Sequence, residues 1–88
     1  MSEIRVIRLT APWCGPCGTY APVLDAVAKE RGVEVEAIDV DKYPQRAVDF
    51  GATSVPTTIA LNKSDEVVAQ FSGARNKAAL NEWFGELL

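Results

Sequence analysis

The only two cysteines of the chain, Cys14 and Cys17, lie in the stretch WCGPC, separated by a glycine and a proline. Two thiols this close could form a redox couple, provide half of a metal site, or be two unrelated buried thiols. A tetrahedral zinc site usually takes four cysteine or histidine ligands, and this chain has two cysteines and no histidine. A metal site would have to recruit carboxylates or a second copy of the chain, so we expect no metal and no other cofactor.

The position of the cysteines in a loop that enters a helix disfavours two inert buried thiols. A Cys-x-x-Cys pair after a strand–helix start is a recognised redox signal. Cys14 is expected at or near the helix N-cap, where unpaired backbone N–H groups and the helix dipole lower the pKa of a thiol. Cys17 would lie one turn later and deeper, within reach of a disulfide, and Pro16 would fall in the first turn, where its missing N–H costs little. The pattern favours a redox couple.

The elements that must position these thiols follow from hydrophobic periodicity and turn residues. The sequence predicts four strands, at Ile4–Leu9, residues 33–40, residues 57–62 and residues 67–72. It predicts three helices, from about Cys14 to Arg31, from Pro44 to Phe50, and through the apolar positions of residues 80–88. The predicted order is β-α-β-α-β-β-α.

This order places the cysteines at one edge of the sheet. The first two strands are joined through a helix, so they should be parallel with a right-handed crossover. The last two should form an antiparallel hairpin. Because the cysteine helix begins directly after the first strand, its N-terminus should lie at the carboxyl end of that strand, where open α/β sheets place their active sites.

Composition narrows the classes of protein further. The 88 residues, with 48% hydrophobic content, are expected to form one domain over 1–88. The net charge is −3 with acids and bases interleaved, so we expect no direct nucleic-acid partner. Arg5 and Arg8 interrupt the only apolar stretch near the N-terminus, which is unlike a signal peptide, and no apolar run approaches a membrane span. We therefore expect a soluble cytoplasmic protein, in which a close cysteine pair is more often catalytic or metal-binding than structural.

The chain resembles the thioredoxin family from about Val6 to Leu88. WCGPC is the motif of that family in full, and TYAPVLDAVAKE (residues 19–30) resembles its active-site helix with a kinking proline. SVPT (residues 54–57) resembles the loop in which the family holds a cis-proline opposite the cysteines. FSGA (residues 71–74) resembles the end of its last strand, where a glycine lines the substrate groove.

The resemblance implies a thioredoxin-like α/β fold with a four-stranded mixed sheet in the order 2-1-3-4. Thioredoxins of full size carry an extra N-terminal strand and helix, for which this chain has no room. We therefore expect a small, trimmed protein similar to glutaredoxin-sized members of archaea and phages. The first and last helices would cover one face of the sheet, and only the short helix around Ala47 would cover the other. SGARNK differs from the segment of glutathione-using glutaredoxins, so no dedicated glutathione site is expected.

The resemblance also implies a function, the reduction of disulfides in partner proteins by a monomer. Cys14 would be the nucleophile and Cys17 the resolving thiol, and a thioredoxin reductase or equivalent reductant would restore the pair. Such a protein takes part in electron transport and cell redox homeostasis. Two alternatives remain open. One is a dedicated hydrogen donor to a ribonucleotide reductase, and the other is a redox-independent assembly subunit that docks through Trp13, Pro56 and Gly73.

The predicted substrate groove surrounds the Cys14 sulfur, and the Val55–Pro56 bond within it is expected to be cis. Trp13 offers a flat apolar edge to a substrate, although ordinary packing would explain it equally well. The predicted substrate-binding residues are Trp13, Gly15, Pro16, Val55, Pro56, Gly73 and Ala74.

One departure from the family pattern concerns the second cysteine. Thioredoxins usually keep a buried acid six residues before the first cysteine, with a lysine partner on the neighbouring strand. Arg8 and Ala37 stand at these positions. In one interpretation Arg8 reaches solvent across the thinly covered face of the sheet, with its stem packed on the strands. In the other, its charge lies near Cys17 and makes the resolving thiol acidic.

Overall fold

The computed structural model describes residues 3–88. Met1 and Ser2, which the predicted domain includes, lie outside the described residues. The strands are β1 (Arg5–Thr10), β2 (Glu34–Asp39), β3 (Thr57–Leu61) and β4 (Val67–Ser72). The helices are α1 (Gly15–Glu30), α2 (Pro44–Asp49) and α3 (Lys77–Leu87). The predicted order of elements is confirmed.

The four strands form one sheet in the order β2-β1-β3-β4, which confirms the predicted topology. β1 pairs in parallel with β2 and antiparallel with β3, and β3 pairs antiparallel with β4. Because β1 has a neighbour on both sides, its apolar side chains are buried on both faces of the sheet. The chain leaves β1 at its carboxyl end and enters α1 within a few residues, which brings the cysteines to this edge.

Alternation along β1 divides the core between the two faces of the sheet. Val6 lies on the face that α1 and α3 cover, which we call the α1/α3 face. Ile7 and Leu9 lie on the opposite face, which we call the α2 face because Ala47 of α2 packs there. The α1/α3 face holds the larger cluster, which includes Tyr20, Leu24, Val27, Ala28, Phe71, Leu80, Trp83 and Phe84.

Arg8 lies on the α1/α3 face, so the interpretation that it crosses the thinly covered face is wrong. It is two residues from Val6 and therefore shares its side of the strand. Its partner in β3 is Thr58, which is fully buried and whose hydroxyl bonds to that of Tyr20 on α1. The physical reason is the period of two along β1, which gives the α2 face to Ile7 and the opposite face to Arg8.

None of the helices within residues 3–88 is long and apolar enough to cross a membrane.

Candidate active site

Cys14 and Cys17 are joined by a disulfide, with their Cα atoms 5.4 Å apart. Cys14 is the N-cap of α1, as predicted, and its Sγ accepts a hydrogen bond of 3.3 Å from the backbone N–H of Cys17. A proline in the first turn, Pro16, leaves the cap undisturbed. Once the disulfide is reduced, the unpaired N–H groups and the positive helix end stabilise negative charge on the Cys14 sulfur.

The two sulfurs differ in their access to solvent. Cys14 is partly exposed, and its neighbours Gly15 and Pro16 are exposed. Cys17 is only 3% exposed because it faces the sheet from the first turn of α1. A disulfide of another protein therefore meets the Cys14 sulfur first, and Cys17 can be reached only from within the molecule.

A second loop lies between α2 and β3, and its Val55–Pro56 peptide bond is cis. The backbone N–H of Gly73 donates a hydrogen bond of 2.8 Å to the carbonyl of Pro56, which ties this loop to the end of β4. Pro56 is buried, and Gly73 and Ala74 are exposed. The structure thus joins the predicted groove residues of these two segments.

Gly73 has a backbone conformation and surroundings that suit glycine. Its φ is +87°, which is in the region that side chains disfavour. A Cβ at this position would have no heavy atom within 4 Å, so the space next to it is open. An extended chain could approach the backbone of Gly73 closely.

Trp13 stands at the other side of the site, with 69% of its surface exposed. Its indole Nε1 donates to both carboxylate oxygens of Asp41, at 3.0 and 3.2 Å. Trp13 and Val55 line the same shallow cavity of about 180 Å³, so these two predicted groove residues are brought together. The other residues of this cavity are Val40, Ala47, Ala52, Thr53 and Ser54.

Sequence reasoning missed Asp41, which holds the indole in place. The available signal was its position just after β2, because the carboxyl ends of the parallel strands β1 and β2 meet at one edge of the sheet. A carboxylate at the end of β2 is therefore within reach of the loop that follows β1.

A group of polar side chains lies on the α1/α3 face, one turn of α1 beyond Cys17. The hydroxyls of Tyr20 and Thr58 share a buried hydrogen bond of 2.7 Å. Burial raises the pKa of Tyr20 above its usual 10.0, while the Thr58 hydrogen bond and the charges of Arg75 and Arg8 act in the opposite direction. The Arg75 guanidinium lies 3.8 Å above the centre of the Phe71 ring.

The described part of the chain contains no group of three or more His, Cys, Asp or Glu side chains that could hold a metal ion. The reactive groups of this site are the two sulfurs of Cys14 and Cys17. They can alternate between a disulfide and a dithiol, with one sulfur open to partners and the other protected.

Known proteins are similar to this chain in sequence and in fold. The family model for thioredoxin matches residues 1–86. A thioredoxin of Mycobacterium bovis is 46% identical over 77 residues, which cover 85% of this chain and 66% of that protein. A thioredoxin of Listeria monocytogenes is 42% identical over 74 residues, covering 82% of this chain and 71% of that protein. The chain therefore spans about two thirds of the length of these relatives.

A solved structure has a similar fold. It is a mutant thioredoxin from Halobacterium salinarum, with glutamine in place of one asparagine, which superposes with a TM-score of 0.87 at 28% sequence identity. The match covers 97% of this chain and 74% of the other. The matches show that the chain belongs to the thioredoxin family.

Proposed function

We propose that this protein reduces disulfides in partner proteins through Cys14 and Cys17. The observation that carries the proposal is the pairing of a partly exposed N-cap sulfur with a buried one in a single disulfide. In the reduced protein the Cys14 thiolate attacks a disulfide of the partner. A mixed disulfide forms between Cys14 and one partner sulfur, and the other partner sulfur leaves as a thiolate.

The buried thiol completes the cycle. Cys17 loses its proton to water, and its thiolate attacks the Sγ of Cys14. The bond between Cys14 and the partner breaks, the partner's second sulfur leaves as a thiolate, and the Cys14–Cys17 disulfide forms. Two electrons have passed to the partner, whose thiolates take protons from water. A thioredoxin reductase or another dithiol then supplies two electrons and two protons to restore the pair.

The division of roles follows from exposure and from position on the helix. The N-terminus of α1 favours the thiolate of Cys14, and exchange needs a thiolate that a partner disulfide can approach in line. The Cys17 sulfur is buried, so a partner disulfide cannot approach it. It is adjacent to the Cys14 sulfur and can attack the disulfide that Cys14 has formed. Cys14 is therefore the nucleophile and Cys17 the resolving thiol.

The partner is expected to bind in an extended conformation across the groove. Trp13 and Val55 border its apolar side, and Gly73 leaves room for a backbone. The free backbone groups of Val55 would pair with the partner chain as with an added strand. Pro56 and Ala74 complete the surface, and Gly15 and Pro16 flank the sulfur that reacts.

The setting of this function is also part of the proposal. Residues 1–88 act as one domain and as a monomer in the cytoplasm, without a cofactor of their own. The partners are disulfide-containing proteins and a reductant of the thioredoxin reductase type. Reducing surroundings suit a protein whose working form is the dithiol.

A trapping experiment tests the assignment of the two cysteines. Reduced Cys17→Ser protein is mixed with oxidised insulin, and the adduct is located by mass spectrometry after digestion. We expect a stable mixed disulfide at Cys14, because no thiol remains to resolve it. The matched control is Cys14→Ser, which keeps only the buried thiol and should form little adduct. Adducts that form on Cys14→Ser but not on Cys17→Ser would reverse the roles.

A further inference from the structure

Arg8 is the one side chain of β1 whose charge has no evident role in the fold. It is partly buried, and its Nε is buried with no hydrogen-bond partner among residues 3–88. Arg5, on the same strand, is different, because it forms ion pairs with Asp65 at 2.7 Å and Glu36 at 3.7 Å. No ion pair of this kind joins Arg8 to a carboxylate in the described range. A partly buried cation without a partner is unfavourable.

The position of Arg8 places this charge under the first turns of α1. α1 connects two parallel strands and therefore runs back along β1 in the opposite direction. The register partner of Arg8 on β3 is Thr58, whose hydroxyl bonds to that of Tyr20 on α1. Tyr20 is one turn after Cys17 on the buried side of this helix.

The charge of Arg8 also acts on the Tyr20 hydroxyl, which agrees with this placement. The charges of Arg8 and Arg75 both lower the pKa of the Tyr20 hydroxyl, against the larger opposing effect of burial. Tyr20 and Cys17 are three residues apart on the buried side of α1. The positive charge of Arg8 therefore acts on the buried side of α1, the side that carries Cys17.

The neighbouring elements supply no acid that neutralises this charge. On β2 the register partner of Arg8 is Ala37, and on β3 it is Thr58. Tyr20 faces the same region from α1, and Arg75 adds a second cation from the segment before α3. Asp39 lies further along β2, where its carboxylate accepts a hydrogen bond of 2.8 Å from the backbone of Asp41.

We propose that Arg8 is a positioning residue for the second step of disulfide exchange, in which its charge stabilises the Cys17 thiolate. This inference rests on the proposed function. Cys17 gives its proton to water, its thiolate forms the bond to the Cys14 Sγ, and the bond from Cys14 to the partner sulfur breaks. Arg8 takes no proton and gives none, because a guanidinium stays charged. Its role is to raise the fraction of Cys17 that is ionised near neutral pH.

The test measures the resolving step by itself. Reduced protein is mixed in a stopped-flow instrument with 4,4′-dithiodipyridine, a neutral reagent that arginine does not attract. The first thiopyridone is released as Cys14 reacts, at a rate that depends on the reagent concentration. The second is released as Cys17 resolves the adduct, at a rate that does not. Wild type is compared with Arg8→Met, Arg8→Gln and Arg8→Lys across pH 5.5–10, each checked by circular dichroism.

The expected effect depends on pH. A unit charge roughly 9 Å from the Cys17 sulfur, in a medium of effective dielectric about 20, would raise the thiolate fraction roughly twentyfold. The more basic thiolate of the variant is a better nucleophile, and this recovers part of the loss. The nucleophilicity of a thiolate rises with the pKa of its thiol with a Brønsted coefficient of about 0.45. Arg8→Met should therefore slow the second phase about fivefold at pH 6–7. At pH values above the pKa of Cys17 in both proteins, the order of the two rates should reverse, and the variant should be about fourfold faster in the second phase.

Three comparisons decide the inference. Arg8→Lys should keep a profile close to wild type, and Arg8→Gln should follow Arg8→Met. Arg5→Met is the matched control, with the same loss of charge on the same strand but on the other face, and should leave the second phase unchanged. Identical profiles for wild type and both uncharged variants would overturn the inference, as would an Arg8→Lys protein that behaves like Arg8→Met. A wild type that releases only one thiopyridone per chain would overturn the proposed function as well.

Discussion

The two faces of the sheet are built from the same strands but contain different kinds of side chain. The α2 face is closed by five buried apolar residues, Ile7, Leu9, Ile38, Ile59 and Leu61. The α1/α3 face has the larger apolar cluster, but near the cysteines it also holds Arg8, Tyr20 and Thr58. Adjacent residues of β3, Thr58 and Ile59, belong to opposite faces and are both fully buried. On the α2 face, the stability of the fold is enough to explain the residue types. On the α1/α3 face near the cysteines, another requirement must also have determined them.

The two faces of the sheet can be compared in this way because burying a polar group costs free energy and burying an apolar group does not. An apolar side chain in the core stabilises the fold by leaving water. A hydroxyl or guanidinium in the same place must be hydrogen bonded or paired to avoid a penalty. Tyr20 and Thr58 satisfy each other, whereas the Nε of Arg8 is unpaired. Stability does not account for Arg8, whereas the role that we propose for it in the chemistry of Cys17 would.

The largest effect is expected from the α2 face. Ile59 is fully buried there and packs among other apolar side chains. Ile59→Ala should lower the free energy of unfolding by about 2–5 kcal/mol, from lost burial and the cavity that remains. Urea unfolding followed by circular dichroism measures it. A loss below about 1 kcal/mol would show that the α2 face can collapse around the cavity and is not closely packed.

A smaller loss is expected from the buried hydrogen bond on the opposite face. Tyr20→Phe leaves the Thr58 hydroxyl buried without its partner, so it should lower the free energy of unfolding by about 1–3 kcal/mol. The double variant Tyr20→Phe with Thr58→Val removes both polar groups and should recover most of that loss. A double-mutant cycle from denaturant unfolding compares the two. Additive losses would show that the bond contributes nothing to stability.

The pH dependence of stability gives a third contrast between the faces. The pKa of Tyr20 is raised in the folded protein, chiefly by burial. The folded state therefore holds this proton more tightly than the unfolded state does. Stability from this group is complete below the unfolded pKa of about 10 and is lost as pH rises toward the folded pKa. The slope should approach about 1.4 kcal/mol per pH unit.

Unfolding measured between pH 9 and 11.5 tests this slope. Tyr43 is exposed and provides the matched control. Tyr20→Phe should flatten the decline above pH 10, whereas Tyr43→Phe should leave it as in wild type. An equally steep decline in Tyr20→Phe would assign the effect to other groups.

The smallest effect on stability is expected from Arg8. Replacing an unpaired, partly buried cation by an apolar side chain is often neutral or favourable, so Arg8→Met should change the free energy of unfolding by less than about 1 kcal/mol. Val6→Ala, on the same face of β1, should be clearly destabilising because Val6 is 1% exposed. Thermal unfolding of both variants makes the comparison. A large loss in Arg8→Met would make Arg8 a structural residue.

The sequence predicted the elements, their order and the place of the cysteines. Periodicity and turn residues were sufficient for the strands and helices, and the resemblance supplied the order of the strands. The N-cap position of Cys14 followed from local signals, because a cap depends on residues close in sequence.

The contacts between distant segments could not be predicted in this way. The hydrogen bond of Trp13 joins residues 28 apart in sequence, and that of Tyr20 joins residues 38 apart. Arg8 was assigned to the wrong face in one interpretation, although its spacing from Val6 placed the two on one side of the strand. Which helices cover that side depends on tertiary packing, which periodicity does not define.

The transfer of electrons to a protein disulfide tests the central claim most directly. Fully reduced protein, freed of other reductants and kept without oxygen, is mixed with excess oxidised insulin, and the thiols of both proteins are identified by mass spectrometry after alkylation. We predict that each chain reduces one insulin disulfide and ends with Cys14 joined to Cys17. The Cys14→Ser/Cys17→Ser variant should transfer nothing. If wild type leaves insulin oxidised while its own thiols stay reduced, the account of this protein as a disulfide reductase is contradicted.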